Sequence, residues 1–61
     1  MQPIFKFKVG DIIYCKELSA YWLITEYDIV RWNYKVEGLN RHYDSTLIGA
    51  PYADKNCVKV A

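Results

Sequence analysis

Sixty-one residues with eight Lys and Arg against seven Asp and Glu form one small domain of formal charge +1, too short for a second core or a two-domain catalytic cleft. A chain this short buries only about 60% of the surface its unfolded form exposes, so it depends on dense packing of large side chains, here two Trp, six Tyr and two Phe. A hydrophobic fraction of 52% excludes intrinsic disorder, and the near-neutral balance excludes both a phosphate mimic and the basic excess typical of non-specific nucleic-acid binders.

The chain opens Met1-Gln2-Pro3-Ile4-Phe5-Lys6, with no basic region leading into an apolar run, so no signal peptide is readable and a cytosolic address is expected. Phe5, Phe7 and Val9 alternate with Lys6 and Lys8, the pattern of a strand or extended arm with one wet face. Gly10-Asp11 breaks this run. Ile12–Lys16 is short, β-branched and aromatic, and reads as the first full strand, connected through Glu17-Leu18-Ser19. Ala20–Tyr27 lacks helical capping and periodicity and favours a pleated surface, so it reads as the central strand. The apolar stretch between charges at Leu18–Thr25 falls far short of the roughly 20 residues of a membrane span.

Asp28 is the expected start of a turn. From Val30 the alternation is cleanest: Val30, Trp32, Tyr34 and Val36 form a dry face, and Arg31, Asn33, Lys35 and Glu37 a wet one. Gly38-Leu39-Asn40 closes that strand, because Gly and Asn tolerate positive φ, and Arg41–Ser45 reads as a polar loop. Thr46–Ile48 is a brief fourth strand. Pro51–Asn56 predicts a single helical turn, with proline at its start and Asn56 ending it in the left-handed region. Cys57–Val60 is the last strand. The expected core is Ile13, Trp22, Ile24, Tyr34, Val36, Leu47 and Val58.

Five short strands separated by turns indicate a small barrel or sandwich, spanning residues 1–61 as one unit. The runs Phe7–Tyr14, with its "Val-Gly-Asp" turn, Tyr21–Ile24, Tyr34–Val36, Pro51–Asp54 and Cys57–Val60 resemble the small Src-homology-3-type β-barrels, including those of short bacterial and phage-encoded proteins. The resemblance implies an all-β, five-stranded barrel with one short helical turn before the last strand. It implies no binding residues, because only Glu17-Leu18-Ser19 stands where that family carries its long acidic, aromatic-rich peptide-binding loop.

Chemistry is sparse. Cys15 and Cys57 lie far apart without a Cys-x-x-Cys spacing, and in a cytosolic chain they read as free, half-buried thiols, with no zinc site in prospect. A nucleophile–base pair needs His42, the only histidine, which reads as a solvated loop residue between Arg41 and Tyr43. The interior of so small a barrel is filled by its own side chains, leaving no concave site to split carboxylate pKa values, so neither catalysis nor a cofactor is expected.

The aromatic load exceeds what the core holds, which leaves some of Tyr14, Tyr21, Trp32, Tyr43 and Tyr52 near the surface. Tyr and Trp with neighbouring Arg dominate protein interfaces. The expected partner-binding residues are therefore Tyr21, Arg31, Trp32, Arg41, His42, Tyr43 and Tyr52, in a non-enzymatic module that binds and modulates a protein partner or pairs with itself. The alternative is a small-barrel nucleic-acid binder that stacks bases on Tyr21, Trp32 or Tyr43 and meets phosphates with Lys6, Lys8, Arg31, Lys35 and Arg41. A third reading is an aromatic cage for a quaternary cation, which needs three or four converging rings.

Overall fold

The computed structural model describes residues 4–39 and 45–61. It contains β1 (Ile12–Cys15), β2 (Ala20–Asp28), β3 (Asn33–Gly38), β4 (Ser45–Gly49), α1 (Ala50–Asn56) and β5 (Cys57–Lys59). All neighbouring strands run antiparallel in one sheet of order β4-β3-β2-β1-β5, with β2 the longest. A register shift between Ile24 and Glu26 places a bulge near the middle of β2, a device that bends a strand and increases its twist.

Two hairpin turns repeat one solution. Lys16–Ser19 joins β1 to β2 and ends on Ser19 at φ 50; Ile29–Trp32 joins β2 to β3 and ends on Trp32 at φ 56. The second turn opens as expected at Asp28, whose Oδ1 accepts the Arg31 N–H at 3.2 Å. It corrects the expected dry face, however. Val30 lies in the turn, 94% exposed, and Trp32 adopts a left-handed backbone rather than an extended one, so only Tyr34 and Val36 of the four point inward. Val30→Ser is accordingly expected to change stability by no more than about 0.5 kcal/mol in urea denaturation, where loss of a core valine costs 1 kcal/mol or more.

The inner face carries Ile13, Cys15, Ile24, Tyr34, Val36, Ile48 and Cys57, and α1 closes over it with Ala50 and Ala53, three positions apart on one side of the helix. Full burial stabilises each of the larger side chains by about 1.5–3 kcal/mol. Trp22 packs on this cluster with Gly38 opposite it across the β2–β3 pair. Leu47 and Val58, expected in the core, are instead exposed: Leu47 pairs with outward Lys35 and Val58 with Tyr14, so their neighbours Ile48 and Cys57 take the inward phase. α1 carries Pro51 in its first turn. It ends with the Cys57 N–H donating to the Ala53 carbonyl and with Asn56 Nδ2 donating to the Tyr52 carbonyl at 3.1 Å, so Asn56 does not close it in the left-handed region.

The two cysteines are not free. Cys15 and Cys57 form a disulfide between directly paired residues of β1 and β5, and both are buried rather than half-buried. The hydrogen bond from Val60 N–H to Ile12 O marks that pair as a bonded one, so Cys15–Cys57 falls at a non-hydrogen-bonded position. Cα atoms there approach to about 4.5 Å, and these lie 4.4 Å apart. The spacing along the sequence gives no sign of this, because only the register of β5 on β1 brings the thiols together.

Candidate functional site

The aromatic residues divide into two groups with different work. The first is internal. Phe5 stacks on Tyr27 at 4.2 Å between ring centroids and meets Tyr34 edge-on at 5.2 Å, and Phe7 packs on the same Tyr34 ring. Polar contacts fix the same segment: the Tyr27 hydroxyl donates to Phe7 O at 2.8 Å, Phe7 N–H donates to Tyr34 Oη at 3.1 Å, and the Trp32 indole N–H donates to Ile4 O at 2.9 Å. The alternation Phe5-Lys6-Phe7 thus supplies an arm laid across the inner face, its rings down and Lys6 and Lys8 in water. Four rings do converge, but on one another; stacking at 4.2 Å leaves no gap for a cation.

The hydroxyl of Tyr34 also donates to Asp54 Oδ1 at 2.6 Å, tying β3 to α1. Burial, reinforced by that carboxylate, raises the Tyr34 pKa far above the usual phenol range. The Tyr52 hydroxyl donates to Glu17 Oε2 at 3.0 Å, which raises its pKa as well, principally through that hydrogen bond. These contacts tie α1 to β3 on one side and to the β1–β2 turn on the other. Among the described residues no group of three or more His, Cys, Asp or Glu is placed to hold a metal ion, and no helix is long and apolar enough to cross a membrane.

The second group faces out. Tyr14 and Tyr21 are directly paired on β1 and β2, with ring centroids 4.8 Å apart. Val58 of β5 pairs with Tyr14 from one side, and Leu39 donates its N–H to the Tyr21 carbonyl from the other. The result is a continuous row, Val58–Tyr14–Tyr21–Leu39, across the outer face. Tyr21 is 44% exposed and Val58 58%. A row that crosses three strands and the residue following β3 on one sheet face is a contiguous apolar patch rather than scattered single exposures.

The expected binding residues do not all meet there. Tyr21 belongs to the row. Arg31 and Trp32 lie in the turn beyond the far end of β2, and seven residues of strand between Tyr21 and Asp28 span roughly 23 Å. Tyr52 sits half-buried on α1 against Glu17. Arg41, His42 and Tyr43 lie outside the described residues. Sequence reading assigned Tyr14 to the surface group without placing it at a site, and it missed Val58 and Leu39 altogether; the pairing register alone lines them up with Tyr21. No family model, no curated protein and no solved structure matches this chain.

Proposed function

We propose that the chain is a small non-enzymatic protein-interaction module that docks a partner protein on the outer face of its sheet. The carrying observation is the Val58–Tyr14–Tyr21–Leu39 row, with two tyrosines at its centre. Tyrosine buries a large ring at little rotamer cost and keeps a hydroxyl for the rim of a contact, which suits it to the centre of an interface. Five antiparallel strands, a mid-strand bulge and a short helix before the last strand also support the reading of the fold as a Src-homology-3-type barrel, the class found in short bacterial and phage-encoded proteins. The compartment decides the state of Cys15–Cys57: cytosolic reductants keep such a pair as thiols, and an oxidising compartment keeps it bridged.

Charge favours a protein partner over nucleic acid. On the sheet Lys35 Nζ lies 3.5 Å from Glu26 and Lys59 Nζ 3.7 Å from Asp11, so the basic side chains there already face carboxylates. Tyr21→Ala is expected to weaken capture of the partner at least tenfold and to move the thermal midpoint by only a few degrees. Trp32→Ala, at the other end of β2, is expected to leave capture unchanged. Capture that survives Tyr21→Ala and is lost with Trp32→Ala rejects the outer face in favour of the turn. Fluorescence anisotropy with single- and double-stranded oligonucleotides at low salt is expected to show no binding at tens of micromolar protein; saturable binding there establishes the nucleic-acid reading instead.

A further inference from the structure

We infer that β4 is a self-complementary edge through which two copies of this chain join into one continuous antiparallel sheet. The two edges of the sheet are treated differently. β5 is three residues long, carries Lys59 and is tied to β1 by the disulfide. These features blunt an edge. β4 is Ser45-Thr46-Leu47-Ile48-Gly49, with no charge, no proline and no bulge in its register with β3, and among the described residues nothing pairs with its outer side. Leu47 at its centre is 43% exposed, and two shallow clefts of the surface share it and Lys35 as walls.

The hydrogen-bond phase fixes what fits. Ala50 N–H donates to Trp32 O, which marks that pair as a bonded one; alternation along an antiparallel ladder then makes Tyr34–Ile48 and Val36–Thr46 bonded and Lys35–Leu47 non-bonded. Thr25 Oγ1 agrees with this phase, since it reaches the Lys35 carbonyl from the β2 side. The backbone groups of Ser45, Leu47 and Gly49 therefore point away from β3, into the free edge. A two-fold axis through Leu47 places each copy's Leu47 opposite the other's and each Ser45 opposite a Gly49, with a reciprocal pair of N–H···O bonds at all three positions. Because the backbone groups of Leu47 face outward, an axis at this residue gives a bonded central pair and three bonded positions within β4, one more than an axis at Thr46 or Ile48 gives.

The side chains agree with the same axis. Leu47 meets Leu47 on the outer face, and on the inner face the core residue Ile48 meets the methyl-bearing Thr46 of the other copy. The two Lys35 side chains stand three strand spacings apart, about 14 Å, beyond the screening length of about 8–10 Å, and each has its own Glu26. β4 is three positions from β1 and two from β2 in the sheet, so the pairing stands independently of the Tyr14–Tyr21 row. One strand pair is a small interface, and the expected dissociation constant is on the order of 100 µM.

Sedimentation equilibrium of the full chain between about 10 µM and 1 mM tests the pairing. The expected result is a reversible monomer–dimer equilibrium, with the Leu47 amide exchanging more slowly as concentration rises. Leu47→Lys is expected to weaken association at least tenfold with the thermal midpoint retained, because the side chain already faces water. Leu47→Pro removes the outward N–H without touching the β3 ladder and is expected to do the same; should it fail to fold, Leu47→Lys still decides. A wild-type monomer at 1 mM, or a dimer that persists in Leu47→Lys, overturns the inference, as does a chain that accepts an added strand only from a different protein.

Discussion

Reduction of the Cys15–Cys57 bridge, or alanine at both positions, is expected to lower the unfolding free energy by about 4 kcal/mol and the thermal midpoint by roughly 15–30 °C. The two residues are 42 apart in sequence, and the loop-entropy relation for a closed loop of that length gives a loss of about 13 cal/mol/K from the unfolded chain, or about 4 kcal/mol at 25 °C. A domain of this size draws no more than about 3–5 kcal/mol from a single core, so the bridge is comparable to everything else that holds the fold. Its location sharpens the effect. β5 pairs only with β1, and α1 reaches it directly through the cap at Cys57. Loss of the bridge therefore releases β5 first, and amides of 57–60 are expected to lose protection before those of β2 and β3. Urea and thermal denaturation followed by circular dichroism, each with and without reductant, measure the effect. Midpoints that agree within a few degrees overturn it, and the alanine pair separates the covalent contribution from the small cavity left by two sulfurs.

Residues whose partners lie within one hairpin were readable in advance. Val36 against Ile24, and Ile13 against Trp22, follow from alternation plus burial, and the elements fall within a residue or two of expectation except at the start of β3, where Val30, Arg31 and Trp32 belong to the turn. Phase was not readable where both faces of a strand are apolar. Leu47-Ile48 and Cys57-Val58 each offer two neighbouring apolar residues, and a period of two has two solutions; only pairing with outward Lys35 and Tyr14 selects Ile48 and Cys57 as the inward members. Turn ends were hidden for a different reason. Ser19 and Trp32 both take positive φ without being Gly or Asn, the residues that normally announce that conformation. Trp32 therefore read as one more aromatic of a strand. The same limit applies to the outer row, since Tyr14, Tyr21, Val58 and Leu39 come from four separate segments and only a register assembles them.

Tyr34→Phe is expected to cost about 2 kcal/mol, more than the loss of one ordinary hydrogen bond, because the hydroxyl serves two partners at once. It donates to Asp54 Oδ1 and accepts from the Phe7 N–H, joining β3, α1 and the N-terminal arm at one buried point. Phenylalanine keeps the ring contacts with Phe5, Phe7 and Tyr27 and fills the same volume. What it leaves behind is a buried backbone N–H with no acceptor and a carboxylate that must find water. The pH dependence follows from the same geometry. Burial first, and then the bond to Asp54, raise the Tyr34 pKa above its ordinary value of 10.0, so the folded state holds this proton more tightly than the unfolded chain does. The stabilisation is complete below pH 10 and is lost as pH climbs from there toward the point where the folded phenol itself ionises. Tyrosinate absorbance at 295 nm is expected to show Tyr34 silent until alkaline unfolding, and Tyr34→Phe is expected to remove that silent group and flatten the alkaline fall in stability. A wild-type titration in which all six tyrosines ionise together near pH 10, with the fold intact by circular dichroism, sinks the assignment, because a hydroxyl sealed between Phe7 and Asp54 cannot ionise without opening the arm.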